Sequence, residues 1–181
     1  AYLDAFSASS MTTASISNAN FNFNHGSNGG LQVYVLGNVS LNNVNASGND
    51  APFSYGAYIE NCSWDGFSCA GNGNVSISST TASSFNANGY VGLTVFSGGD
   101  ILLTNVAAND NSSSGMRIDN TYGDGLVKIL NTALVYKHSV SRNSEYGIWA
   151  ISKNIITINQ VITEENVWHN LYLTTLNTIL P

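Results

Sequence analysis

Charge is the scarcest commodity in this 181-residue chain: Asp, Glu, Lys and Arg together make up 9% of it, against roughly 25% in ordinary soluble domains. Only five residues are basic against eleven acidic, for a net charge of −6. With no basic run anywhere, a phosphate-tracking surface is excluded and nucleic acid is not an expected partner. Long apolar runs are also lacking. None approaches the 18 to 20 residues that span a bilayer, and no charged-then-apolar leader precedes Ala1, so the chain reads as soluble and as mature or excised. Histidine is sparse as well. His25, His138 and His169 lie in or beside loops without a second His three or four residues away, so they read as surface residues and no metal or cofactor is expected.

Cysteine is limited to Cys62 and Cys69, which bracket one short segment. A bridge between them closes a tight loop and implies an oxidising, extracellular compartment. A metal pair is the alternative, but two thiols without a nearby His make a poor zinc site.

What the chain does have is 43% hydrophobic residues, enough to bury the core of one domain, together with 26 Asn and 17 Gly. Solubility therefore rests on amides and hydroxyls. These residues recur in register. Taking Leu41 as an anchor, equivalent positions are Ile16, Leu41, Ile77, Leu103, Ile129 and Ile158, each preceded two residues earlier by an apolar Ala14, Val39, Val75, Ile101, Val127 or Ile156. That alternation describes a strand with one buried face. Two residues after each anchor come Asn18, Asn43, Ser79, Asn105, Asn131 and Gln160, an amide in five of six copies. An Asn ladder of Asn18, Asn43, Asn105, Asn131 and Gln160, stacked at strand spacing, is expected there.

A second strand follows its own register. It begins at Gly30, Gly56, Gly92, Gly115, Gly147 and Asn170 and interleaves with the first set. Direct repeats of strand, turn, strand and loop, 23 to 36 residues apart, predict a parallel β-solenoid in which each turn buries its apolar side by stacking on its neighbours. About seven coils and a body roughly 34 Å long are expected. The whole of residues 1–181 reads as one domain, with insertion loops near 61–72, 120–126 and 135–145. A β-sandwich is the runner-up, but it requires mirrored hairpins rather than direct repeats.

The segments GLQVYVLGNVSLNNVNASGN (residues 30–49) and GLTVFSGGDILLTNVAANDN (residues 92–111) resemble coils of the right-handed parallel β-helix proteins, the pectate-lyase-like superfamily, and most of all the β-helix repeats of bacterial secreted and cell-surface proteins. The resemblance runs from Ile16 to Leu173. It implies an all-β, right-handed parallel β-helix. Because that superfamily hosts lyases, hydrolases, tailspikes, adhesins and non-catalytic repeats, it implies no single activity. The Asp-Asp pair, Gly-His-Gly and Arg-Ile-Lys sets of the polygalacturonase-like hydrolases are missing. Asp100, Asp110, Asp119 and Asp124 are scattered rather than gathered as calcium ligands.

One face carries candidate chemistry. The outward positions of the second strand form two columns, Gln32, Tyr58, Thr94, Arg117, Trp149, Tyr172 and Tyr34, Glu60, Phe96, Asp119, Ile151, Thr174. Glu60 and Asp119 fall two coils apart, about 10 Å, near the separation of an inverting glycosidase pair. With Arg117 they are the catalytic candidates if the chain is an enzyme; the main expectation is that it is not. The aromatics Tyr34, Tyr58, Phe96, Trp149 and Tyr172 are expected to stack on sugar rings or to make a lateral protein contact. Five Asn-x-Ser sequons, at Asn38, Asn45, Asn61, Asn74 and Asn111, match the glycosylation pattern, as chance allows in so Asn- and Ser-rich a chain.

No cap is visible at either end, and a first, degenerate copy of the second strand is placed near residues 6–8. Open ends can pair head to tail. The expectation for function is thus an extracellular or cell-surface structural subunit that polymerises with itself, with Tyr2, Leu3, Phe6, Leu171, Leu173 and Leu180 at the joint. A glycan-binding module or polysaccharide-active enzyme using the aromatic face is the alternative.

Overall fold

The computed structural model describes residues 1–6, 12–62, 69–132 and 138–176. Among them every regular element is a strand, and the strands stack in parallel as a β-solenoid. One wall is a seven-stranded sheet of β1 (Tyr2–Asp4), β3 (Leu31–Tyr34), β5 (Ala57–Glu60), β7 (Leu93–Phe96), β9 (Met116–Asn120), β12 (Ile148–Ser152) and β15 (Leu171–Thr175). The other wall has six strands: β2 (Ala14–Asn20), β4 (Val39–Asn45), β6 (Val75–Ser84), β8 (Ile101–Ala107), β10 (Val127–Leu130) and β13 (Ile156–Asn159). A short pair, β11 (His138–Ser139) and β14 (Val161–Ile162), lies beside them.

The registers are those expected from the repeats. Ile16, Leu41, Ile77, Leu103, Ile129 and Ile158 pair in sequence across the six-stranded sheet. Leu31, Ala57, Leu93, Met116, Ile148 and Leu171 do so across the other. The turn count is smaller than expected, about six instead of about seven. A full turn needs a strand in each wall, the six-stranded wall supplies six, and the seventh strand of its partner adds only a half turn. At one strand spacing per turn the stack is about 29 Å long. The first copy of the second strand is also displaced. It spans Tyr2–Asp4, with Leu3 opposite Val33, and Phe6 follows it with its amide donating to Asp4 Oδ1 at 3.1 Å.

The inward columns meet as the core. Leu31, Val33, Ile59, Leu93, Val95 and Ile118 from one wall face Leu41, Ile77, Leu103 and Ile129 from the other, all fully buried. Each such side chain contributes about 1.5–3 kcal/mol on burial, so the interior is a continuous apolar spine shared between turns.

One corner is organised by a row of amides that sequence reading missed. Asn24, Asn49, Asn88, Asn111, Asn143 and Asn166 lie in successive turns. Each Nδ2 donates to the Oδ1 of the next, at 2.7, 2.9, 3.0, 3.0 and 2.8 Å. The same oxygens accept the backbone amides of the preceding ladder residues at 3.0–3.1 Å. Asn49, Asn88, Asn111 and Asn143 are buried, so the ladder satisfies polar groups that water cannot reach. It also explains the glycine that opens the second strand. A Cβ at Gly92 or Gly115 would stand 2.7 Å from the Nδ2 of the ladder Asn in the next turn, Asn111 or Asn143.

The residue before each ladder Asn has a positive φ: Phe23, Gly48, Ala87, Asp110, Arg142 and Glu165, at 54–67°. The turn demands a left-handed backbone there whatever the side chain, and only one turn meets the demand with glycine. The amides at Asn18, Asn43, Asn105 and Gln160 likewise have φ of 52–56°. Asn is favoured there because it tolerates this conformation. Lateral bonding follows in part: Asn43 Nδ2 donates to Asn18 Oδ1 at 3.0 Å, Ser79 Oγ to Asn43 Oδ1 at 2.5 Å, and Asn105 Nδ2 to the Ser79 carbonyl at 2.7 Å. Asn131 occupies the same position after Ile129 and donates its backbone amide to the Asn159 carbonyl at 3.0 Å.

Candidate functional site

On the outer face of the seven-stranded sheet the register aligns Tyr2, Gln32, Tyr58, Thr94, Arg117, Trp149 and Tyr172 in one column, and Asp4, Tyr34, Glu60, Phe96, Asp119, Ile151 and Thr174 in the next. Strand pleating turns all of these side chains away from the core. Their rings touch along the stack. Tyr34 lies 5.5 Å from each of Tyr2, Phe6 and Tyr58, and Tyr58 lies 5.9 Å from Phe96. Beyond Arg117 the row resumes with Trp149 and Tyr172, near-parallel at 6.5 Å.

A second row, missed in the sequence, stands along one side. Tyr55, Tyr90 and Tyr146 occupy the turns just before Gly56, Gly92 and Gly147. Tyr55 packs at 5.2 Å against both Tyr58 and Tyr90, and Tyr146 packs against Trp168, His169 and Tyr172 at 5.2–5.7 Å. The signal was present as a tyrosine one or two residues ahead of the strand-opening glycine, outside the strand alternation on which the columns were built. On the other side stand Tyr122 and the Cys62–Cys69 disulfide, the bridge expected from their spacing. Floor and sides together make a groove running along the solenoid axis.

Two clefts sit in this groove. One, of about 300 Å³, is lined by Tyr58, Glu60, Cys62, Phe96, Asp119 and Tyr122. Tyr58 Oη donates to Glu60 Oε2 at 2.9 Å. Burial raises the carboxyl of Glu60 above its ordinary range, only partly offset by that bond, and burial beside Glu60 holds the Tyr58 hydroxyl protonated. Asp119 shares the cleft, with Phe96 between the two acids in register, and its Oδ1 accepts the backbone amide of Thr121 at 2.9 Å. The other cleft, of about 230 Å³, is lined by Tyr90, Ser113, Ser114, Arg117, Glu145, Tyr146 and Trp149 among others. Glu145 there accepts from Ser113 Oγ at 2.5 Å and Ser114 Oγ at 3.2 Å.

The fold thus brings together Glu60, Asp119, Arg117, Tyr34, Tyr58, Phe96, Trp149 and Tyr172. Tyr2 and Phe6 join them, as packing partners of Tyr34. Leu3, Leu171 and Leu173 lie at inward register positions of the first and last strands, 41–43% exposed, and Leu180 lies outside the described residues. A further turn of a longer chain and a second copy of this one would cover these leucines equally, so they do not select a joint. Two of the sequon asparagines, Asn61 and Asn111, are buried and are closed to modification in the folded chain. His25 Nδ1 is 2.6 Å from Asp50 on the surface.

Among the described residues no helix is long and apolar enough to cross a membrane. No family model, curated protein or solved structure matches the chain.

Proposed function

We propose that this chain is a carbohydrate-binding β-solenoid working in a non-reducing compartment, outside the cell or on its surface, and that it grips an extended glycan along the groove of its seven-stranded sheet without cleaving it. The observation that carries this reading is the row of rings. Tyr34, Tyr58, Phe96, Trp149 and Tyr172 repeat along the strand-stacking direction, flanked by Tyr55, Tyr90 and Tyr146. Aromatic rings present apolar faces to the C–H faces of sugars, while Glu60, Asp119 and Glu145 offer acceptors to hydroxyls. A polymer that advances along the stack meets similar chemistry at every turn, which suits repetitive ligands.

The disulfide supports the non-reducing setting. Kinship with the pectate-lyase-like solenoids and a bacterial source belong to the same proposal and rest on the sequence resemblance. Self-assembly, the reading first suggested by the sequence, has no specific observation in its favour beyond the exposed end strands.

Affinity electrophoresis through gels containing a polysaccharide panel tests the proposal. At least one polymer should retard the protein, Trp149→Ala and Tyr58→Ala should each abolish the retardation, and no reducing ends should accumulate. Unretarded migration through every polymer, or retardation indifferent to both substitutions, overturns it. Release of reducing ends that stops in Glu60→Gln or Asp119→Asn would make the chain an enzyme instead.

A further inference from the structure

The row of rings is interrupted once, by Arg117. Its guanidinium carbon lies 5.7 Å from the centre of the Phe96 ring and 5.0 Å from that of Trp149, so aromatic neighbours on both sides hold the cation in place. Its Nε is buried and has no hydrogen-bond partner among the described residues. Thr94, next to it in the same outward column and 1% exposed, has an unpartnered hydroxyl too. Among the described residues the ion pairs are His25–Asp50, Arg142–Asp110 and Lys153–Asp124, and they leave Arg117 aside. A buried donor on a permanent cation is costly to leave unpaired. Two adjacent ones on the outer face of the groove mark a place for an acceptor that comes from outside.

We propose that Arg117 and Thr94 form an anion subsite within the groove, and that the glycan it takes is a heteropolymer in which a sugar bearing one anionic group, a carboxylate or a sulfate ester, adjoins uncharged sugars. The inference rests on the glycan-binding reading of the groove and adds the substrate class. Its second half comes from the spacing of charge. Asp119 stands at the next outward position of Arg117's own strand, about 7 Å along it, Glu60 stands two strands farther along the groove in the column of Asp119, about 12 Å from Arg117, and Glu145 lines the same cleft as Arg117. A polymer charged on every sugar would lay further anions against Glu60 and Glu145 for each one it gave to Arg117, and like charges brought together in a partly desolvated cleft repel. An alternating polymer sets hydroxyls against those carboxylates, where they donate hydrogen bonds. The anionic group itself meets the fork of the guanidinium, whose bidentate geometry suits carboxylate and sulfate alike.

Isothermal titration calorimetry on the intact chain tests this with defined oligosaccharides of equal length: a hyaluronan fragment, whose uronate alternates with an uncharged sugar; the same fragment with its carboxyls reduced to alcohols; a polygalacturonate fragment, charged on every unit; and chondroitin fragments with and without sulfate. An alternating anionic probe should bind roughly 10- to 100-fold tighter than its uncharged counterpart and tighter than polygalacturonate. The reduced and desulfated probes tell whether the carboxylate or the sulfate supplies the difference. Arg117→Gln should bring the anionic probe down to its uncharged counterpart, Arg117→Lys should keep part of the preference, and the near-isosteric Thr94→Val should diminish it with the fold intact. Lys128→Gln, an exposed cation on the opposite wall, should change neither. Equal affinity for charged and uncharged probes, a preference for polygalacturonate, or a charge preference that survives Arg117→Gln overturns the subsite while leaving the groove standing. Failure of every probe to bind, charged or not, in calorimetry and in the gel panel alike, overturns the groove reading itself.

Discussion

Asn88 Oδ1 accepts two hydrogen bonds from one residue, Asn49: from its backbone amide at 3.1 Å and from its Nδ2 at 2.9 Å. Asn88 in turn donates both of its own amides to Asn111 Oδ1 at 3.0 Å. Replacing Asn88 by alanine therefore strands two buried donors on Asn49 and removes one of the two bonds to Asn111 Oδ1, which keeps the backbone amide of residue 88. At about 1–3 kcal/mol per stranded buried group, Asn88→Ala should lose roughly 3 kcal/mol or more in urea denaturation. Asn42→Ala, on an exposed strand face, should stay within about 0.5 kcal/mol. Equal losses at the two sites would show that the ladder is ornamental.

The ladder also marks where sequence reading stopped. The strands were legible because the interior imposes alternation at a fixed offset from each anchor, as at Val39 and Leu41 or Ile101 and Leu103. The ladder keeps its offset only in part: Asn24, Asn49, Asn111 and Asn166 follow their anchors by eight residues, but Asn88 follows by eleven and Asn143 by fourteen. Asn88, Asn111 and Asn143 precede their strand-opening glycines by four residues, but Asn49 precedes Gly56 by seven and Asn24 precedes Gly30 by six, because loops of unequal length leave the same corner. Asn18 and Asn43 were visible for a different reason, since they sit at a constant place in the strand where the backbone turns left-handed. In the groove, Glu60, Phe96 and Trp149 followed from strand alternation, whereas Tyr55, Tyr90 and Tyr146 sit in turns that alternation does not reach.

The left-handed position before each ladder Asn gives a reciprocal pair of tests. Ala87 holds φ at 54° with its side chain in solvent, so glycine there relieves about 1–2 kcal/mol of backbone cost and loses back part of it through a freer unfolded chain. Ala87→Gly should raise stability by about 0.5–1 kcal/mol. Gly48, at φ 67°, has the Phe23 ring 2.7 Å from where a Cβ would stand, so Gly48→Ala should destabilise by more than about 1 kcal/mol. Melting midpoints that move in the same direction for both would overturn this account of the turn.

Cys62 lines the cleft that holds Glu60, and its bridge to Cys69 spans a sequence separation of seven. Closing a loop that short removes about 2.5 kcal/mol of chain entropy from the unfolded state. Cys62→Ser with Cys69→Ser should therefore fold but unfold about 2 kcal/mol more easily, and its glycan affinity should fall with the loss of one side of the cleft. A double variant with unchanged denaturation and unchanged affinity would detach the bridge from both roles.

Glu60 supplies the pH test. Burial raises its carboxyl above the ordinary value and the bond from Tyr58 only partly offsets this, so the folded chain binds this proton more tightly than the unfolded chain does. The contribution to stability is then complete below about pH 4, where an unfolded glutamic acid is protonated, and is lost as pH rises through the raised folded value. Glu60→Gln keeps an acceptor for the Tyr58 hydroxyl without the charge. The variant should match the wild type below about pH 4 and exceed it at pH 7, by a modest margin because the carboxyl is half exposed and solvent screens it. Thermal melts of both proteins between pH 3 and pH 8 read the difference directly. A gap that ignores pH would mean that the Glu60 carboxyl holds its proton equally well folded and unfolded, and one that opens in favour of the wild type at neutral pH would mean that the cleft stabilises the ionised carboxylate; either overturns the raised value.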